Sequence, residues 1–178
     1  MTSNPHYIGL TEFVEDFART LSRAPVKPRY RDREELRRWL VPVVKAYLAD
    51  KLGQQEIPYH LWQRRSRGGR AIDSIPIFVA PFVPDLAVEV TQTPILAVLS
   101  TLIKDNRTLA TKIGAAIGQA IILSHQYPAV ISFVLHSVRR EEYRLYLERE
   151  IQLDLWSRHK IKLVLRDQFI SSDPPKGS

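Results

Sequence analysis

Apolar residues recur along the first part of the chain with the 3.6-residue period of a helix lying on a core. Leu10, Phe13, Val14, Phe17 and Leu21 predict an amphipathic helix over 10–22. Pro25 and Pro28 donate no amide hydrogen bond, and the polar, basic stretch around them predicts an extended surface connection. A second stripe, Leu36, Leu40, Val43, Val44, Tyr47 and Leu48, predicts a helix that opens near Asp32 and stops at Gly53. Pro42 either kinks that helix or marks the start of its second half.

The pattern then changes. Residues 58–65 read as a short strand, followed by a flexible turn that carries Arg64, Arg65, Arg67 and Arg70. The runs 71–79 and 85–91 are β-branched or apolar and are separated by Ala80-Pro81-Phe82-Val83-Pro84, so three antiparallel strands are expected, with Pro76 marking an interruption or an edge. Thr93 can cap a helix and Pro94 suits its first position, which predicts a helix over 94–103. That segment is almost wholly apolar, so it is either buried or an oligomer contact, and a homodimer or larger assembly through it is plausible. Leu109, Ile113, Ala116, Ile117, Ala120 and Ile121 predict a helix over 107–124 that packs closely on a sheet. Residues 129–136 read as a buried strand, parallel to 85–91 through a helical crossover. A charged helix over 139–158 and a last strand at KIKLVLR follow. The expected organisation is an N-terminal helix and linker over 1–31, an α/β domain over 32–168 and a disordered tail over 169–178.

Composition narrows the partners. A chain of 178 residues with 44% hydrophobic content buries a core without disulfides, and it contains no cysteine, which removes thiol nucleophiles and Cys-ligated zinc. The longest apolar runs, near 94–103 and 113–123, are too short to span a bilayer, so no membrane partner and a cytoplasmic location are expected. The 26 Lys and Arg residues exceed the 19 Asp and Glu residues, and the resulting +7 charge suits a polyanion such as nucleic acid, although an anionic surface or an acidic protein would also match it. There is no phosphate-binding glycine loop and no internal repeat. The five histidines form no pair at metal-ligand spacing.

Asp73 and Glu89 lie sixteen positions apart, in two successive expected strands. Two carboxylates on neighbouring strands can converge on one Mg²⁺ or Mn²⁺, which would polarise a phosphate and activate water. The order helix, three-strand meander, helical crossover, strand over about 32–166, with these two acids, resembles the PD-(D/E)XK nuclease superfamily. The resemblance implies an α/β restriction endonuclease-like core, a mixed central sheet flanked by helices, here with an extra N-terminal helix. It implies a Mg²⁺-dependent DNA endonuclease with Asp73 and Glu89 as metal ligands. The family's lysine is replaced by Thr91, so either another cation substitutes or the domain is a degenerate nucleic-acid-binding or assembly subunit. Lys112 is the expected substitute, on the reasoning that a crossover helix starts beside the end of strand 85–91. Gln119 resembles the glutamine of RecB-like members, although Leu123 stands where their tyrosine would be. Glu34 or Glu35 matches the acid some members keep on their first core helix, or is an ordinary helix-dipole partner. Pro84-Asp85 looks like the motif's own dipeptide, but Asp85 and Glu89 share a strand and stand about 13 Å apart, so Asp85 reads mainly as strand entry.

The arginine turn leads into the strand bearing Asp73, where Arg64, Arg65, Arg67 and Arg70 are placed to hold phosphates. Replacing Arg64, Arg65 and Arg67 with alanine is expected to weaken DNA binding for every sequence and to flatten its salt dependence. Affinities measured across a salt series check this, and an unchanged slope moves the phosphate contacts elsewhere.

Overall fold

A computed structural model describes residues 9–64, 75–77, 80–137 and 149–168. It shows a mixed five-stranded sheet, order β1-β4-β5-β6-β7, flanked by helices. The elements are α1 (Leu10–Arg23), α2 (Arg33–Lys51), β1 (Tyr59–Gln63), β2 (Ile75–Ile77), β3 (Ala80–Phe82), β4 (Leu86–Val90), β5 (Thr93–Ile103), α3 (Leu109–Ser124), β6 (Ala129–His136), α4 (Arg149–His159) and β7 (Ile161–Asp167). No described helix is long and apolar enough to cross a membrane.

The two N-terminal helices form where their stripes require. Phe13, Val14, Phe17 and Leu21 of α1 are buried with Leu36, Leu40, Val44 and Leu48 of α2, and with Val88, Val98, Ile131 and Phe133 from the sheet. Tyr47 of α2 stacks on Phe17, ring centroids 4.6 Å apart, and its hydroxyl donates to the Phe13 carbonyl at 3.1 Å. The Lys51 ammonium beside Asp16 holds that carboxyl below its usual value, while burial raises the Tyr47 hydroxyl. Helix α2 runs unbroken through Pro42, whose exposed position puts the missing amide bond on the solvent side. Its N-cap is Asp32, which accepts from the Glu35 amide at 2.8 Å. Glu35 in turn accepts from the Arg31 amide at 2.7 Å, and these amide bonds lower both carboxyls.

On the other face of the sheet, Ala120 and Leu123 of α3 and Leu155 of α4 cover Ala87, Ala97, Leu99 and Val130. Further along, Ala116 of α3 meets Ile103, Val134 and Leu163. The alanines let the helix approach the strands closely.

The largest departure from expectation is at 94–103. This segment is not a helix but most of β5, an eleven-residue strand antiparallel to β4 and parallel to β6. A continuous apolar run has no period to reveal its type, and a central strand covered on both faces needs one as much as a buried helix does. Pro94 is tolerated because it pairs with Glu89 where the register shifts between Val88 and Glu89, so its missing amide falls at an irregularity of the ladder. With these residues inside the sheet, the homodimer through a helix 94–103 loses its basis.

The strand order changes with it. The parallel partner of β6 is β5, not β4, and α3 is the crossover between them. The expected three-strand meander is also rearranged: β4 is flanked by β1 and β5, while among the described residues β2 and β3 pair with each other as a second, two-stranded sheet. The charged helix is described from Arg149 onward, and the tail lies outside the described residues. Strand β7 forms as expected, parallel to β6.

Between β4 and β5 the chain turns in two residues, Thr91 at φ 49° and Gln92 at φ 65°. Positive φ at both central positions is what a type I′ hairpin requires, and it suits Asn-Gly far better than a β-branched residue followed by glutamine. Replacing Thr91-Gln92 by Asn-Gly is expected to stabilise the fold by about 1–2 kcal/mol, read as a rise in the urea midpoint. A lower midpoint would show that these side chains support the turn.

Candidate functional site

The chemistry-bearing residues divide between the two ends of the sheet. At the hairpin end, Glu89 is half-buried and accepts from the Trp62 indole N–H at 2.8 Å. His60, opposite Glu89 on β1, lies against the Trp62 ring with centroids 4.2 Å apart. Glu89 and His60, with Pro58, Tyr59, Thr91 and Gln92, border a cavity of about 380 Å³. The indole bond satisfies one oxygen of a carboxylate that the sequence marks as needing a partner.

At the opposite end, where β4 begins and β5 finishes, Asp85 is buried, its side chain 3% exposed. Its Oδ2 accepts from the Ser100 amide at 2.7 Å, from the Ser100 hydroxyl at 2.8 Å and from the Arg33 guanidinium at 2.9 Å. The carboxylate therefore joins the start of α2 to both central antiparallel strands. Burying it costs several kcal/mol unless charge and hydrogen bonds compensate, and all three donors supply that compensation.

Beside this clamp lies a cavity of about 520 Å³. Arg31 and Arg33 border it from the start of α2, Ser100, Thr101, Leu102 and Lys104 from the end of β5, and Lys112 and Gln119 from α3. Four cationic residues thus border one concavity together with one carboxylate, Asp32, which caps α2 and pairs with Arg31 at 3.6 Å. The Lys104 ammonium donates to the Arg31 carbonyl, which ties the end of β5 to the loop before α2. Lys112 is half-buried and has no ion-pair or hydrogen-bond partner among the described residues. Arg64 stands at this same end, its amide donating to the Asp85 carbonyl at 3.0 Å.

The expected constellation is therefore assembled differently. Lys112 and Gln119 do come together, but beside Ser100 and not beside Thr91. The reason is the direction of β5: it returns the chain antiparallel to β4, so α3 starts at the opening end of β4, the length of that strand, roughly 17 Å, from the Thr91 turn. Asp73, Arg65, Arg67 and Arg70 lie outside the described residues. Strand β4 has β1 and β5 as neighbours, and the described part of the run 71–79, Ile75–Ile77, pairs with β3. Glu34 pairs with Arg37 at 2.7 Å, and Glu35 serves the helix start.

Among the described residues no three His, Asp or Glu side chains gather as metal ligands. Asp85 and Glu89 stand at opposite ends of β4, where Asp85 Oδ2 accepts from Ser100 and Arg33 and Glu89 Oε2 from Trp62. The Asp73–Glu89 pair that the sequence suggested for Mg²⁺ includes a residue outside the described ones. Arg31, Arg33, Ser100 and Thr101 were not singled out for one reason: with 94–103 taken as a helix, nothing places them near Lys112. The Pro-Asp dipeptide at strand entry was the available signal.

Comparison of the chain with protein-family models, with curated proteins and with solved structures returned no match.

Removing the Asp85 carboxylate leaves a guanidinium and a buried amide without their partner. Because Arg33 reaches solvent, Asp85→Ala is expected to cost about 2–3 kcal/mol, below the range for a fully buried pair. Asp85→Asn keeps an acceptor for the Ser100 amide and should cost less, about 1–2 kcal/mol. Urea denaturation of the three proteins tests the clamp, and equal midpoints would reject it.

Proposed function

We infer that the chain is a nucleic-acid-binding domain built on a nuclease-like α/β frame, with its phosphate-holding surface at the end of the sheet where β5 finishes. The observation that carries this reading is the convergence of Arg31, Arg33, Lys104 and Lys112 on one cavity, with Arg64 at the same end. Ligands of α/β folds commonly sit at the carboxyl ends of parallel strands, and β5 opens onto this cavity at that end. The chain's +7 charge adds a long-range attraction for the same class of partner.

The order α2, β1, β4, β5, α3, β6 supports a restriction endonuclease-like core. In this frame Asp85 opens the second core strand, where the resembled superfamily keeps its aspartate. That family's signature then places an acid and a lysine on the next strand. Here β5 carries Ser100, Thr101 and Leu102, and the Asp85 carboxylate is occupied by Ser100 and Arg33. This use of the residues favours binding over metal-dependent hydrolysis.

Fluorescence anisotropy with single-stranded and duplex DNA tests the reading. Affinity should fall steeply between about 50 and 200 mM salt, and the Lys104→Gln/Lys112→Gln variant should flatten the log–log slope by about 2. Nicking of plasmid DNA that depends on Mg²⁺ or Mn²⁺ would restore the hydrolytic reading, with Asp73 and Asp85 the acids to replace in turn. Absence of any salt-dependent binding would reject nucleic acid as the partner.

A further inference from the structure

We propose that the basic cavity takes a terminal phosphomonoester of nucleic acid together with its nucleoside, so that the domain recognises chain ends; this rests on the nucleic-acid reading above. The argument begins with shape. Backbone phosphodiesters of a continuous strand each carry one negative charge and succeed one another along a line, so they are matched by cations spread along a groove. In this structure the four cationic residues border one cavity instead. Arg31 and Arg33 precede or open α2, Lys104 follows β5, and Lys112 lies in the first turns of α3, so three separate segments address a single concavity.

A phosphomonoester carries about −1.5 to −2 charges at neutral pH and three acceptor oxygens, and it therefore uses several convergent donors where a diester uses fewer. Lys112 is the donor best placed for this role, being half-buried in the wall and without a partner among the described residues. Arg33 is held by Asp85, so its position is set before any ligand arrives. Lys104 is likewise held by the Arg31 carbonyl.

The volume points the same way. About 520 Å³ falls within the range of small-ligand sites, enough for a phosphate with an attached nucleoside, but a duplex is far too wide to enter and would touch only the rim. The remaining wall suits a nucleoside: Leu102 and Ala115 offer apolar surface, and Thr101 and Gln119 offer groups for a sugar or a base edge. Gln119 thus acquires a role that needs no metal.

The test uses the full chain and short fluorescent oligonucleotides of one sequence with a 5′-phosphate, a 3′-phosphate or hydroxyls at both ends, in about 150 mM salt. At least one phosphorylated end should bind about tenfold more tightly than the hydroxyl form, and Lys112→Gln should abolish that preference. Displacement by a free deoxynucleoside 5′-monophosphate would support the same chemistry and extend it to mononucleotides. Equal, salt-dependent binding of all three oligonucleotides would overturn the end-recognition proposal while leaving nucleic-acid binding intact. A preference that survives in Lys112→Gln, with folding verified by circular dichroism, would also overturn the site. No binding of any oligonucleotide would reject both readings together.

Discussion

Strand β5 is hydrogen-bonded along both edges, antiparallel to β4 and parallel to β6, and its middle residues are covered on both faces. A strand in that position must be apolar along its covered middle, Leu96–Leu99, because an unpaired polar side chain in either direction would enter a helix-packed layer; Ser100 is admitted there because it donates to Asp85. It also decides the direction of everything after it. Because β5 runs back beside β4, α3 begins where β4 begins, and Lys112 and Gln119 arrive at Ser100 and Arg33 instead of at the Thr91 turn. The separation of an acidic hairpin end from a basic opposite end follows from this one reversal.

The elements with a clear period were legible before the structure. Helices α1 and α2 announce themselves by stripes, a cap and a stop, and β6 and β7 by dense β-branched runs. The run 94–103 was not legible by that route, since buried helices and buried strands both erase the polar positions that define a period. The residues flanking it pointed the wrong way: Thr93-Pro94 satisfies the local rules of a helix start, while the tertiary pairing with Glu89 at a register shift accommodates the proline in a strand. Local chemistry was consistent with two answers, and only pairing on both edges separates them.

The same error propagated into the site. Glu89 was recognisable as a carboxylate that needs a partner in an inner strand, and it has one in Trp62. That partner is an uncharged indole, reached across a strand pair, and no local spacing announces it. Asp85 was set aside as strand entry, although it is the more deeply buried of the two and holds three hydrogen bonds. Its importance depends on Ser100 standing opposite, fifteen residues away along the chain. Lys112 and Gln119 were correctly seen as neighbours on one flank of α3, because that relation is a property of the helix alone.

The Asp85 clamp also shapes the electrostatics of the basic end. A guanidinium left to solvent has many rotamers, and ordering it for a ligand costs entropy at the moment of binding. Asp85 fixes Arg33 beforehand and neutralises part of its charge, which weakens its pull on distant anions while improving its aim at close range. Lys112 has the converse character: it lacks a protein counter-ion among the described residues and keeps its full attraction. A cavity that combines a prealigned, partly neutralised arginine with an unpartnered lysine can attract a phosphate through the second and orient it through the first. Arginine suits the orienting position because its planar fork can serve Asp85 and a ligand with different nitrogens, which the single ammonium of lysine cannot do with the same geometry.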